Sequence, residues 1–184
     1  DIYYPLEGYF TPDTYTFYEH STAKEVIEKI LNQTENKLEP LKDQIQSSNF
    51  SVHEILSMAS IIELEAVNEN DRKTVSQVIQ KRLSMKKGLG MDVTTYYAVK
   101  KDMKEGLTLS DLKTVSPYNT SEMNSSMAGK LPIGPICNIS VMSIRAALEP
   151  TDTDYLFFYA DVKTGKVYFS KTYEEHVAVQ KEIG

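Results

Sequence analysis

Two glutamates, Glu63 and Glu65, stand one residue apart in the otherwise apolar run Ala59-Ser60-Ile61-Ile62-Glu63-Leu64-Glu65-Ala66. A carboxyl group among apolar neighbours is disfavoured in its charged form, so its pKa climbs towards neutrality. A carboxylic acid still protonated near pH 7 is what general acid catalysis requires. A second reading places the end of the run at the surface, with both side chains solvated and Asn68-Glu69-Asn70-Asp71 following directly. Counting from Val52 at about 100° per residue, Glu63 falls between Leu56 and Ala59, and Glu65 between Met58 and Ile61, roughly 160° away around the axis. The two cannot act as a pair on one bond. Periodicity favours Glu63 as the more embedded.

No other cluster of reactive types competes with them. His20, His53 and His176 are scattered and Cys137 is the single cysteine, so no zinc-ligand spacing exists, no internal disulfide forms, and no metal site is expected. Net charge is −6, and the largest basic clusters are the pairs Lys86-Lys87 and Lys100-Lys101. Nucleic acid is excluded as a partner on electrostatic grounds. No apolar stretch approaches the roughly 20 residues of a membrane span. The chain opens at Asp1-Ile2-Tyr3-Tyr4 without a methionine and reads as a domain cut from a longer protein, with any anchor upstream.

The elements that must position the glutamates are legible from caps and periodicity. At 184 residues the chain suits one domain, able to bury about two-thirds of the surface its unfolded form exposes. Thr22 and Glu25 have capping-box spacing, and Ala23, Val26, Ile27, Ile30, Leu31 and Leu38 follow at helical intervals up to Pro40. Ser51 and Glu54 repeat the box, and Phe50 and Ile55 stand at staple positions, so a second helix begins at Val52. Its apolar residues run almost all round, leaving His53, Ser57, Ser60 and Asn68 as a polar wedge, which predicts a central buried helix. A third helix is predicted over roughly 71–87, a glycine-containing loop over 88–94, and a short helix start at Ser110-Asp111-Leu112. Residues 116–140, rich in Pro, Gly, Asn and Ser, read as a long loop, which inside a compact domain is usually functional. Ser140 caps a helix through Ala147. The runs Tyr155–Tyr159 and Lys166–Phe169, joined around Lys163-Thr164-Gly165, form a β-hairpin, and a last helix starts near Tyr173. Helices with segregated strands predict an α+β fold, in two layers around the buried helix.

The ordered set Leu6-Glu7-Gly8-Tyr9-Phe10-Thr11-Pro12-Asp13-Thr14-Tyr15, Ala59 to Glu65, Arg82-Leu83, Asp92 with Thr94, Pro117-Tyr118-Asn119-Thr120, Leu131-Pro132, Gly134-Pro135-Ile136, Ala146-Ala147-Leu148 with Pro150, the Tyr155 to Ala160 strand and Glu175-His176 resembles the YceG-like family, the endolytic murein transglycosylases. The resemblance covers nearly the whole chain. It implies cleavage of peptidoglycan glycan strands between N-acetylmuramic acid and N-acetylglucosamine, by a protein anchored in the bacterial membrane and facing outwards. The partners implied are glycan strands and the cell-wall synthesis machinery. The family pattern makes Glu65 the catalytic residue and leaves Glu63 structural. Three departures stand out. Gly90 and Met91 replace a Gln and a Thr or Ser, and Ser121 replaces a Tyr, which removes polar groups near the expected cleft.

Glycoside hydrolysis ordinarily takes two carboxylates; the lytic reaction implied by the resemblance takes one. Protonated Glu65 donates to the glycosidic oxygen, an oxocarbenium-like centre forms, and the resulting carboxylate accepts the proton of the muramic acid C6 hydroxyl, giving a 1,6-anhydro end with no metal or cofactor. On this pattern Tyr118, Asn119, Asp92 and Thr94 contact substrate and His176 orients a site group. Each also has a plainer reading: Asp92 as a turn former, Tyr118 and Asn119 as loop packing, and His176 as an exposed or capped histidine. Two rivals remain, a muramidase hydrolysing the same bond with Glu65 and Asp92, and a silent wall-binding domain.

Overall fold

The computed structural model describes residues 1–161 and 164–183. Its helices are α1 (Ala23–Leu38), α2 (Lys42–Ser47), α3 (Val52–Glu65), α4 (Glu69–Ser84), α5 (Asp92–Val99), α6 (Leu109–Lys113), α7 (Val141–Leu148) and α8 (Tyr173–Ile183), with a hairpin of β1 (Phe157–Asp161) and β2 (Lys166–Ser170). The fold is α+β, as the caps and strand runs predict.

Both capping boxes form. Thr22 and Ser51 accept from the amides of Glu25 and Glu54, whose carboxylates reach back to the cap amides. The α4 start differs from expectation because Asn68 accepts from the Asp71 amide and so begins the helix at Glu69. It ends at Ser84, with Lys86 already in the left-handed region at φ 55.

The buried helix is α3. Ile55, Leu56, Met58, Ala59, Ile61 and Ile62 are each at most 2% exposed, and each large apolar side chain so enclosed contributes about 1.5–3 kcal/mol. α4 and α7 pack on it from one side and α5 from another. Of its polar wedge, Ser57 and Ser60 are internal as well, while His53 is half-buried and Asn68, beyond the helix end, is exposed. Ser57 donates to the His53 carbonyl at 2.8 Å, and Ser60 donates to the Ser57 carbonyl at 2.8 Å while accepting the Ile136 amide at 3.0 Å. The wedge therefore faces the 116–140 segment, which is seated against α3 through Tyr118, Ile136 and Ile139.

The hairpin makes the second layer. Phe158 pairs with Phe169 and Tyr159 with Tyr168 in antiparallel register, and the two phenylalanines turn onto the core. α8 covers the hairpin. Of the predicted turn, Thr164 and Gly165 are described, the Gly165 amide donating to the Asp161 carbonyl at 2.7 Å, and Lys163 lies outside the described residues.

The cap on α3 is separable from its burial. Ser51→Ala is expected to lower unfolding free energy by about 1 kcal/mol, and Ser51→Asp, which restores an acceptor, by much less; urea denaturation of both variants checks this.

Candidate active site

The C-terminal end of α3 is closed by one guanidinium. Arg72, 6% exposed on the first turns of α4, donates from Nε to the Ala66 carbonyl at 3.0 Å. Its Nη1 donates to Ser140 Oγ at 2.8 Å, Ser143 Oγ at 3.0 Å and Glu63 Oε2 at 3.3 Å, and Nη2 donates to Glu63 Oε1 at 3.4 Å. Glu63 Oε2 also accepts the Ser140 hydroxyl at 2.6 Å and the Ser140 amide at 3.0 Å. Partial burial pushes the Glu63 pKa up, but the Ser140 and Ser143 hydrogen bonds and the Arg72 charge outweigh it, so the carboxyl is held below its ordinary range. Glu63 is a satisfied carboxylate joining α3, α4 and α7. Arg72 and Ser140 were not singled out for this. Ser140 was legible only as a helix cap, and an arginine nine residues beyond Glu63 lies on a different helix, a pairing no periodicity shows.

Glu65 has the opposite surroundings. It is the last residue of α3, half-buried, and no side chain or amide among the described residues hydrogen-bonds its carboxyl. Burial of the carboxyl, and secondarily the neighbouring Asp92 charge, push its pKa up to about 8. The partial negative charge at a helix C-terminus acts in the same direction. Asp92 opens α5. The residue keeps an exposed surface, yet crowding around its carboxyl raises its pKa too. Asp92 and Thr94 thus belong to a helix, in place of the expected loop, because Leu89 and Met91 are drawn into the core and start a new helical turn there. Chemically, the pair of acids can retain a proton at neutral pH, on Glu65, beside a second carboxyl that opposes its loss.

Three expected substrate contacts are internal instead. Tyr118 is 1% exposed, with its ring 4.8 Å from those of Tyr3 and Tyr97 and its hydroxyl accepting the Tyr3 amide at 3.3 Å. Asn119 is fully enclosed. Its Nδ2 donates to the carbonyls of Asp111, Leu112 and Thr114, and its Oδ1 accepts from Thr95 Oγ1 at 2.7 Å and the Ser121 amide at 3.1 Å. Thr94, also enclosed, donates to the Met91 carbonyl and shares a 2.7 Å hydrogen bond with Thr120. These side chains hold the 116–140 segment on α5 and have no free face for a sugar. His176 sits on α8, stacked on Phe157 at 5.5 Å. Burial and the Arg82 charge lower its pKa, and among the described residues Nδ1 is enclosed without a hydrogen-bond partner and no contact joins it to Glu65.

The departures fall on the same scaffold. Gly90 has φ 65, a conformation that favours glycine, and donates its amide to the Thr120 carbonyl at 2.9 Å. Met91 is 3% exposed at the N-cap of α5, where its side chain supplies no cap, and Ser121 is 6% exposed. None of the three presents a side chain to a cleft.

Among the described residues, Glu65 is thus a proton-retaining carboxyl without a hydrogen-bond partner at the end of a buried helix, in an α+β domain. Comparison gives the family. The YceG-like family model matches residues 1–182, and the chain belongs to that family. It is 40% identical over 177 residues to an endolytic murein transglycosylase of Bacillus subtilis (strain 168), covering 96% of this chain and 47% of that protein. It is 33% identical over 178 residues to one from Streptococcus pneumoniae serotype 2 (strain D39), covering 94% and 31%. A crystal structure of a yceG-like protein from Listeria monocytogenes superposes with a TM-score of 0.87 at 42% identity, over 97% of this chain and 56% of that one. The chain spans about half or less of the two curated relatives.

The proton on Glu65 carries a stability signature. Its ordinary value is 4.5 and its folded value about 8. Below 4.5 the group is neutral folded or unfolded; between the two values unfolding releases a proton, so stability falls as pH rises through that window. Glu65→Gln cannot ionise, so its unfolding free energy relative to the parent should grow from pH 5 to pH 9, by roughly 4 kcal/mol, and the gap in melting temperature should widen with it. Scanning calorimetry at both pH values checks the sign.

Proposed function

We propose that this chain is the catalytic domain of an endolytic murein transglycosylase. It cleaves the bond between N-acetylmuramic acid and N-acetylglucosamine within glycan strands and leaves 1,6-anhydro ends. The observation that carries this reading is the Glu65 carboxyl, with a pKa near 8 and no hydrogen-bond partner among the described residues. The names of the Bacillus subtilis and Streptococcus pneumoniae relatives support it.

Protonated at pH 7, Glu65 donates to the glycosidic oxygen as the bond to the muramic acid C1 breaks. The positive charge developing on the ring lowers the barrier to the next step, in which the C6 hydroxyl attacks C1 and gives its proton to the Glu65 carboxylate. The residue ends as it began, protonated. A pKa near the working pH suits both halves of this cycle, since neither transfer is strongly uphill. Asp92 keeps the proton on Glu65 through its charge and offsets the positive charge on the ring. Glu63, bound to Arg72 and Ser140, holds the α3 end in place. The full-length protein is anchored upstream in the bacterial membrane, with this domain on the outer face among new strands and the wall-synthesis machinery. Among the described residues no helix is long and apolar enough to cross a membrane.

Hydrolysis of the same bond is a second reading, favoured by the closeness of Asp92, which would serve as the second carboxylate. A silent wall-binding domain is the third. Mass spectrometry of digested strands separates them, as anhydro ends, reducing ends or no cleavage. Glu65→Gln should cut anhydro-end formation by about 10² or more, with Glu63→Gln costing far less; equal losses would contradict the assignment.

The pH profile divides the two carboxyls further. Because Glu65 must be protonated, kcat/KM should fall as pH rises through about 8. Asp92→Asn removes the charge that opposes ionisation, so this alkaline limb should move to lower pH. If Asp92 were instead the second carboxylate of a hydrolase, the same variant would lose about 10² or more in rate at every pH.

A further inference from the structure

Beside the two acids lies a cavity of about 200 Å³ that the single-acid chemistry does not use. Leu64 and Val93 are part of its lining. They are the chain neighbours of Glu65 and Asp92, so the cavity opens alongside that junction. Tyr3, Tyr4, Tyr96 and Tyr97 make up much of the rest, with Met103, Ile136 and the two lysines Lys100 and Lys101.

Three of these rings are fixed from behind. Tyr3 donates its hydroxyl to the Ala98 carbonyl at 3.0 Å, Tyr96 to the Glu105 carbonyl at 2.6 Å, and Tyr97 to Glu7 Oε2. Tyr3 and Tyr97 also rest on the buried ring of Tyr118. With their hydroxyls engaged, what these rings offer the cavity is mainly aromatic carbon, which packs on the C–H face of a pyranose or on methyl groups. Tyr4 is 60% exposed and makes no side-chain hydrogen bond among the described residues.

The cation is equally set. Lys100 caps α5 in the left-handed region, φ 54 and ψ 43, a position that favours Gly or Asn. A lysine there costs backbone energy, and what it supplies is an ammonium 4.5 Å from the Tyr3 centroid. Adjacent Lys101 is occupied by Asp111 at 2.9 Å, whereas Lys100 pairs with no carboxylate among the described residues. In a chain of net charge −6, a cation without a carboxylate partner among the described residues, set in the lining of a prearranged aromatic cavity, selects an anionic ligand with an apolar face.

We infer that this cavity is a subsite for the muramic acid unit of the glycan, in which the tyrosines receive the sugar or its methyl-bearing branch and Lys100 binds the carboxylate on that branch. The inference rests on the proposed substrate. It adds a recognition element for the one sugar of the strand that carries a carboxylate, either on the bare lactyl group or on the attached peptide.

The test is a binding titration on the full-length protein carrying Glu65→Gln, in which cleavage plays no part, so its outcome is independent of the lytic reading. Three probes are compared: peptide-bearing muramic acid tetrasaccharide, the same tetrasaccharide after amidase removal of the peptide, and chitotetraose, which has no carboxylate. Adding Lys100→Gly removes the ammonium and relaxes the backbone, so the fold is kept. Loss of one charge-assisted contact should raise Kd by about tenfold for the muramic acid probes and leave chitotetraose unchanged, with Lys100→Arg restoring the parent value. A loss confined to the peptide-bearing probe places the carboxylate on the peptide, and one confined to the stripped probe places it on the lactyl group. Equal weakening of all three probes, or no weakening of either muramic acid probe, overturns the inference.

Discussion

The Arg72 guanidinium is the constraint on which the geometry of the site depends. A helix as apolar as α3 must end inside or at the edge of the core, where its last carbonyls lose their helical partners. Arg72 supplies a donor to the Ala66 carbonyl and, with the same group, binds Glu63 and the two serines that open α7. Three helices therefore share one end point. A buried cation of this kind would be costly alone, and Glu63 is its counter-ion. Position 63 cannot be an unsatisfied acid while that network stands.

That allocation leaves Glu65 as the free carboxyl. The two glutamates are one residue apart in sequence and on nearly opposite sides of the helix, and their surroundings drive their pKa values apart. Glu63 faces donors and stays ionised; Glu65 faces crowded apolar surface and the Asp92 carboxyl and keeps its proton. Separation of this kind between neighbouring acids is how a fold assigns one carboxyl to structure and another to proton transfer. Angular position around the axis favoured Glu63 as the more embedded. The decision between them was made by partners on α4 and α7, which periodicity within α3 does not contain.

Much of the frame was legible because its signals are local. Capping boxes at Thr22 and Ser51 and the cap at Ser140 set helix starts to the residue, and the hairpin followed from two aromatic-rich runs separated by a turn. Long-range satisfaction was not legible. Asn119, Tyr118 and Thr94 have the polar and aromatic character of sugar-binding residues, yet each spends that character on the interior: Asn119 engages five groups of its own chain, Tyr118 lies between two tyrosines, and Thr94 joins Thr120. An irregular segment of 25 residues exposes many amides and carbonyls that helices and strands would otherwise pair. Burying such a segment against α3 requires side chains to pair them, and that requirement, more than ligand contact, accounts for the run Pro117-Tyr118-Asn119-Thr120. The missed α5 has the same origin, since its start depends on Leu89 and Met91 reaching a core that only the tertiary fold creates.

The departures from the family pattern take on a different meaning once placed in this frame. Gly90 is in a left-handed turn where a side chain would approach Arg82 Nη1 at 3.1 Å, Met91 adds to the core at a helix start, and Ser121 is enclosed beside Asn119. Exchanges at these positions alter how the segment carrying Asp92 is seated, through packing and backbone freedom, and leave intact the set of groups able to meet a substrate. Arg82 itself ties the carbonyls of Gly88, Leu89 and Leu156 to Glu122, so the turn before α5 and the entry to the hairpin are held by one side chain. The seating of Asp92 near Glu65 therefore rests jointly on backbone freedom at Gly90, core packing at Met91 and the Arg82 contacts.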